Sequence, residues 1–231
     1  MDNESLSANT LFNFTKEFEY LKSKIENGFK PRLVLENYTP LGIQLEIAIP
    51  MVCFCDIRLS QILTHVKEYG DYGIGLKKEW AVDKGLNPLF YVTENPTLIT
   101  TFSRLVTQDT KKDALRFVAY IKPYSGKQND NNRNFYNERE WRFVPNVDLD
   151  TYSLQKQEFE KGKNDKNRLL FENSEAELDF DFKDIKYIIL KCRSEISDVV
   201  EIITNRFYPV KEAEVHENIA FLTKEAIEKD L

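Results

Sequence analysis

Two glutamates and an arginine stand at every second position in the stretch 134–145, NFYNEREWRFVP. On a strand, Glu138, Glu140 and Arg142 would share one face, because alternate side chains point the same way. A carboxylate fixed on a rigid strand and steered by a neighbouring guanidinium can act as a general base or stabilise a developing cation. The same pattern also fits a half-solvated strand face on which Arg142 pairs with a glutamate. Arg139, Trp141 and Phe143 take the other side, and Trp141 is expected to be substantially buried there.

A second stretch, 53–80, is dense in polar groups between apolar runs: Asp56, Arg58, Ser60, His65, Tyr69 and Tyr72. Gly70, Gly73 and Gly75 fall inside it and point to a close backbone approach or a tight turn. Neither a Walker nor a Rossmann glycine pattern is present, so a phosphate loop of either kind is not expected. His65 lies in a helical stretch and reads as a capped or surface histidine rather than a catalyst. Cys53 and Cys55 lie in an apolar strand and read as core thiols rather than nucleophiles. With three cysteines, a Cys-x-Cys spacing and two histidines, the chain is expected to hold no structural metal and to work in a reducing cytoplasm.

The elements that must position these groups follow from periodicity. LFNFT, 11–15, reads as a strand, and Thr15 can cap the helix after it, with Phe18, Leu21 and Ile25 at helical spacing and Gly28 closing it. LEIAIPMVCFC, 45–55, reads as one or two buried strands broken at Pro50. A helix follows over DIRLSQILTHVKEYG, then the strand YGIGL, a brief helix stopped by Gly85 and the strand PLFYV. One or two helices fill 96–120, and 135–145 is a strand. IKYIILKC, 185–192, is the clearest buried strand, followed by a helix from Ser194 and a last helix over 218–229. The segments 125–134 and 160–168 read as exposed loops. Strands and helices mix without regular alternation, which predicts an α+β fold with a mixed, mostly antiparallel central sheet flanked by helices. One domain over 1–231 is expected, with 1–10 a flexible lead-in.

Composition sets outer limits. The chain has 231 residues, 42% hydrophobic and 13% aromatic, enough for a sizeable core. A formal net charge of −6 disfavours a nucleic-acid-coating role without excluding a local basic groove. No apolar run is long enough to span a membrane.

The stretch MVCFCDIRLSQILTHVKEYGDYGIGLKKEWAVDKGLNPLFYV, with YNEREWRFVP downstream, resembles the AbiGi family of abortive phage-infection proteins. LFNFT…LKSKIENGFKPRLVLE is similar to the family's start and IKYIILK to its later strand, so the resemblance covers roughly residues 8–230. It implies a phage-defence role, with an antitoxin-like protein working beside a toxin or nucleotidyltransferase-like partner. A more distant resemblance is to ADP-ribosyltransferases of the DarT kind. It implies NAD as substrate, Asn13 and Thr15 where that group carries a "HFT" motif, Tyr69 or Tyr72 against the nicotinamide, Arg142 in the binding cleft, and Glu140 or Glu138 as the catalytic carboxylate. Asn13 departs from the histidine of that motif, and a binding-only fold is the alternative. The implied cleft lies between the 11–15 strand, the 53–76 segment and the 135–145 strand.

Overall fold

A computed structural model of the chain describes residues 8–94, 96–107, 111–128 and 131–229. In chain order the strands are β1 (Thr10–Thr15), β2 (Arg32–Asn37), β3 (Glu46–Cys55), β4 (Tyr72–Lys77), β5 (Asn87–Pro88), β6 (Phe90–Val92) and β7 (Ile121–Pro123). They continue with β8 (Ser125–Gln128), β9 (Asn131–Asn134), β10 (Glu140–Phe143), β11 (Leu154–Gln155), β12 (Ile185–Leu190) and β13 (Ala220–Thr223). The fold is α+β with mainly antiparallel pairing, as the sequence predicts. The chain divides into two compact units. Residues 1–7 of the expected lead-in lie outside the described residues, and Thr10 already belongs to β1.

The first unit takes residues up to Phe29, then Phe54–Gly85, then Asp179 onward. Its strands run in the order β13, β12, β4, β1, with Phe12 of β1 meeting Cys55 at the end of β3. Of these pairings, β12 with β13 is parallel and the others are antiparallel. Helix Phe18–Asn27 ends at Gly28, whose φ of 72° is a conformation glycine adopts without strain. Thr15 does not cap this helix: Glu17 stands at its N-cap. The glycine-rich segment behaves as its spacing predicts. A Cβ on Gly70 would lie 2.2 Å from the carbonyl oxygen of Thr15, and one on Gly75 would lie 2.7 Å from the Phe12 ring. Phe29, Phe54, Trp80 and Phe180 pack ring against ring, with the Phe29–Phe54 centroids 5.1 Å apart. Arg206 lies between the Phe180 and Phe207 rings and donates to Asp179 and to the carbonyl of Ile25.

The second unit takes Lys30–Cys53 and Leu86–Leu178. Here β3 pairs antiparallel with β2 and with β11, and β10 lies between β3 and β5. Pro50 faces Leu33 of β2 without ending β3, so 46–55 is one strand. The buried apolar residues of β2 and β3, with Tyr38, Val118, Ile121, Val144 and Leu170, form the core. Arg116 holds the segment after β10 by donating to the carbonyls of Val144, Pro145 and Val147.

Three sequence expectations are corrected. The expected loop over 160–168 lies inside helix Lys156–Glu172. Its lysines and glutamates favour a helix, i,i+3 pairs such as Lys163 with Glu160 support it, and Leu170 and Asn167 dock it. The expected loop over 125–134 is the hairpin β8–β9, with its tip, 129–130, outside the described residues. The expected last helix over 218–229 divides into helix Glu212–Asn218, strand β13 and helix Lys224–Lys229. Ala220–Thr223 adds to β12 through tertiary pairing that local periodicity does not encode.

Candidate functional site

The stretch 135–145 is not one strand. Phe135–Glu138 is a turn of 3₁₀ helix, Arg139 takes a left-handed conformation at φ 45°, and only Glu140–Phe143 is extended. The faces of β10 are inverted relative to the expectation. Glu140 and Arg142 are buried, 5% and 0% exposed, whereas Trp141 and Phe143 are half-buried. A charged face can go inside because it is neutralised there.

Arg142 is the hub. Its Nε donates to Glu140 Oε1 at 2.7 Å, and its Nη2 donates to Glu36 Oε1 at 2.6 Å and Glu140 Oε2 at 3.3 Å. Its Nη1 donates to the Ala119 carbonyl at 2.6 Å. Lys122 Nζ bridges Glu138 Oε2 and Glu140 Oε2, both at 2.7 Å, and Arg133 Nε lies 2.9 Å from Glu138 Oε1. The Glu140 backbone N–H donates to Tyr91 Oη at 2.9 Å. Three carboxylates meet three cations.

Position within the cluster decides each proton affinity. Burial alone would raise the Glu140 carboxyl, but Arg142 and Lys122 overcome it and hold the group below its ordinary value of 4.5. Glu36 is raised, because burial outweighs the one guanidinium it shares with Glu140. Lys122 is raised: burial opposes its charge, and Glu140, Glu36 and Glu138 together prevail. Burial pushes the Cys53 thiol well up, which keeps it neutral beside Glu140. Cys53 is partly buried and packs against the core of the second unit.

A pH prediction follows from these signs. A depressed carboxyl stabilises the fold above its unfolded value and loses that contribution below it. Glu140 therefore contributes stability above pH 4.5 that is lost as pH falls from there. Glu36, raised, has its window above 4.5, where stability declines as pH rises. Urea unfolding across pH is expected to show Glu140→Gln with a flatter fall below 4.5 than wild type, and Glu36→Gln with that acid fall unchanged. An unaltered acid slope in Glu140→Gln would contradict the ion-pair assignment.

The remaining predicted residues lie in the first unit. Thr15 and Tyr72 are cross-strand partners, and Asn13 stands two residues along on the same face of β1. Helix Phe18–Asn27 reaches this face: Lys24 Nζ donates to Asn13 Oδ1 at 2.8 Å, and the Phe18 ring stacks on Tyr72 at 5.4 Å. Tyr72 is buried and donates to Glu195 Oε1 at 2.8 Å; burial and that carboxylate raise its phenol. Tyr69 stacks on His65 instead, with centroids 5.7 Å apart. His65 is buried between the Phe14 and Tyr69 rings, so of the capped or surface alternatives the surface one does not hold. The structure thus joins Glu138, Glu140 and Arg142 in one unit, and Asn13, Thr15 and Tyr72 in the other.

Glu36, Lys122, Arg133 and Tyr91 are members that sequence reasoning missed. Glu36 had a signal: it breaks the apolar run of RLVLEN on a buried strand. Lys122 had only its place between Ile121 and Pro123. Among the described residues no group of His, Cys, Asp and Glu is arranged to hold a metal. No described helix is long and apolar enough to cross a membrane.

The family model of AbiGi, described as an abortive phage resistance protein and antitoxin, matches residues 27–191. The chain belongs to the AbiGi family. The abortive phage resistance protein AbiGi of Lactococcus lactis subsp. cremoris is similar to it at 28% identity, the match covering 71% of this chain and 82% of the relative. No solved structure matches. The AbiGi match spans the whole second unit, and with it every member of the ion cluster.

Proposed function

We propose that this AbiGi-family chain is the non-enzymatic, antitoxin-like half of a two-protein abortive phage-resistance system, and that it acts in the cytoplasm by binding its toxin. The observation that carries this reading is the engagement of both Glu140 oxygens inside the ion cluster. Arg142 Nε donates to Oε1, and Arg142 Nη2 and Lys122 Nζ donate to Oε2. A carboxylate that stabilises an oxocarbenium-like ribose is aimed at the place where that charge develops, whereas Glu140 is 5% exposed and aimed at Arg142 and Lys122. The AbiGi description as an antitoxin agrees with this reading.

The test sets binding against turnover. Purified protein is incubated with labelled NAD and cell extract, and separately co-produced with the product of the neighbouring gene in cells. Restored growth in the second arm, with no nicotinamide release in the first, is expected. Nicotinamide release that falls about 10²–10³-fold in Glu140→Gln would instead establish NAD-dependent ADP-ribosyl transfer.

A further inference from the structure

We propose that the stacked rings of Tyr124 and Tyr136, with strands β8 and β9 beside them, form the surface on which an acidic protein partner docks. This rests on the antitoxin reading, under which that partner is the toxin.

Buried tyrosines need no partner molecule, but these two are 36% and 42% exposed. Their rings stack with centroids 5.3 Å apart, and Tyr91 meets Tyr136 edge-on at 5.3 Å. The backbone fixes the pair: Tyr136 N–H donates to the Tyr124 carbonyl at 3.2 Å and to Asn134 Oδ1 at 3.1 Å. Phe135 lies under the hairpin, where a Cβ on Gly126 would come within 2.9 Å of its ring, and Lys122 sits over that ring at 5.2 Å. Tyr91 Oη accepts the Glu140 N–H, so the ring stack is anchored on the buried ion cluster. Aromatic side chains held this way bind with little further loss of conformational freedom.

Composition and charge indicate the kind of partner. The surface is made of Tyr, Ser, Gly and Asn, the residues that dominate protein-recognition loops. Lys127 and Arg139 stand exposed in this segment, whereas Glu138 and Glu140 are buried, in a chain of net charge −6. An acidic protein surface complements that patch. A nucleic-acid backbone is a poorer fit, because Lys122, Arg133 and Arg142 are engaged by glutamates. Two remaining cations would release counterions from only about two phosphates.

The experiment measures affinity between the full chain and the purified product of the neighbouring gene. Tyr124→Ala and Tyr136→Ala are each expected to weaken binding about thirtyfold or more, the loss typical of a central aromatic anchor. The melting temperature should stay close to wild type. The double reversal Lys127→Glu with Arg139→Glu should slow association and remove its salt dependence, and it carries the test if a tyrosine variant fails to fold. Tyr208→Ala, 87% exposed in the other unit, should change nothing. Wild-type affinity in the tyrosine and charge variants would overturn the docking surface and leave the antitoxin reading standing. A wild-type chain that neither binds nor neutralises the toxin would overturn both. Binding of a labelled oligouridylate that is lost in Tyr136→Ala would overturn the protein partner in favour of single-stranded nucleic acid.

Discussion

Arg142→Ala is expected to destabilise the protein by about 3–5 kcal/mol, the usual cost of removing one partner from a buried ion pair. The guanidinium serves three acceptors at once: Glu140, Glu36 and the Ala119 carbonyl. Without it, two buried carboxylates face each other with only Lys122 to offset them. Arg142→Lys should not rescue the loss, since an ammonium cannot span the same fork of acceptors. Urea unfolding, followed by circular dichroism, measures both. A change below about 1 kcal/mol for Arg142→Ala would mean that the cluster is solvated rather than buried.

Gly70→Ala is expected to be about as severe, for a reason unrelated to charge. Gly70 has φ 133°, where a side chain adds about 1–3 kcal/mol of backbone strain. The added methyl would also lie 2.2 Å from the Thr15 carbonyl oxygen, in the backbone of a central strand. Relieving that clash requires β1 or the end of helix Ile62–Tyr69 to move, at about 1–3 kcal/mol more. Gly85→Ala is the control: it shares the positive φ, at 77°, but has open space around it. If the two variants melt together, the steric half of this account is wrong.

The two sites differ in how far the sequence reveals them. Three glycines within six residues signal close backbone approach by type alone, because nothing else needs that freedom so often. The strands β1, β4 and β12 and the helix closed at Gly28 are legible for the same local reasons. Glu140 and Arg142 are legible as a pair but not as a buried one. Which face of β10 turns inward depends on Glu36 and Lys122, 104 and 18 residues away from Glu140 in one chain. No strand periodicity encodes such distant neutralisation. Periodicity also assigns Trp141 to the inside, since an aromatic on an alternating strand normally outranks a charge. Arg139 adds a second obstacle: its left-handed turn interrupts the alternation from which the face of Glu138 was read.

The order in which the first unit's segments leave the ribosome has a cost during synthesis. β4 is flanked by β1, which precedes it closely, and by β12, which begins only at Ile185. Until that segment emerges, one edge of β4 presents unpaired backbone amides and carbonyls beside Ile74 and Leu76. The entire second segment of the other unit, Leu86–Leu178, is translated in the meantime. A nascent chain stalled in that interval exposes a sticky strand edge, a state prone to aggregation and to chaperone capture.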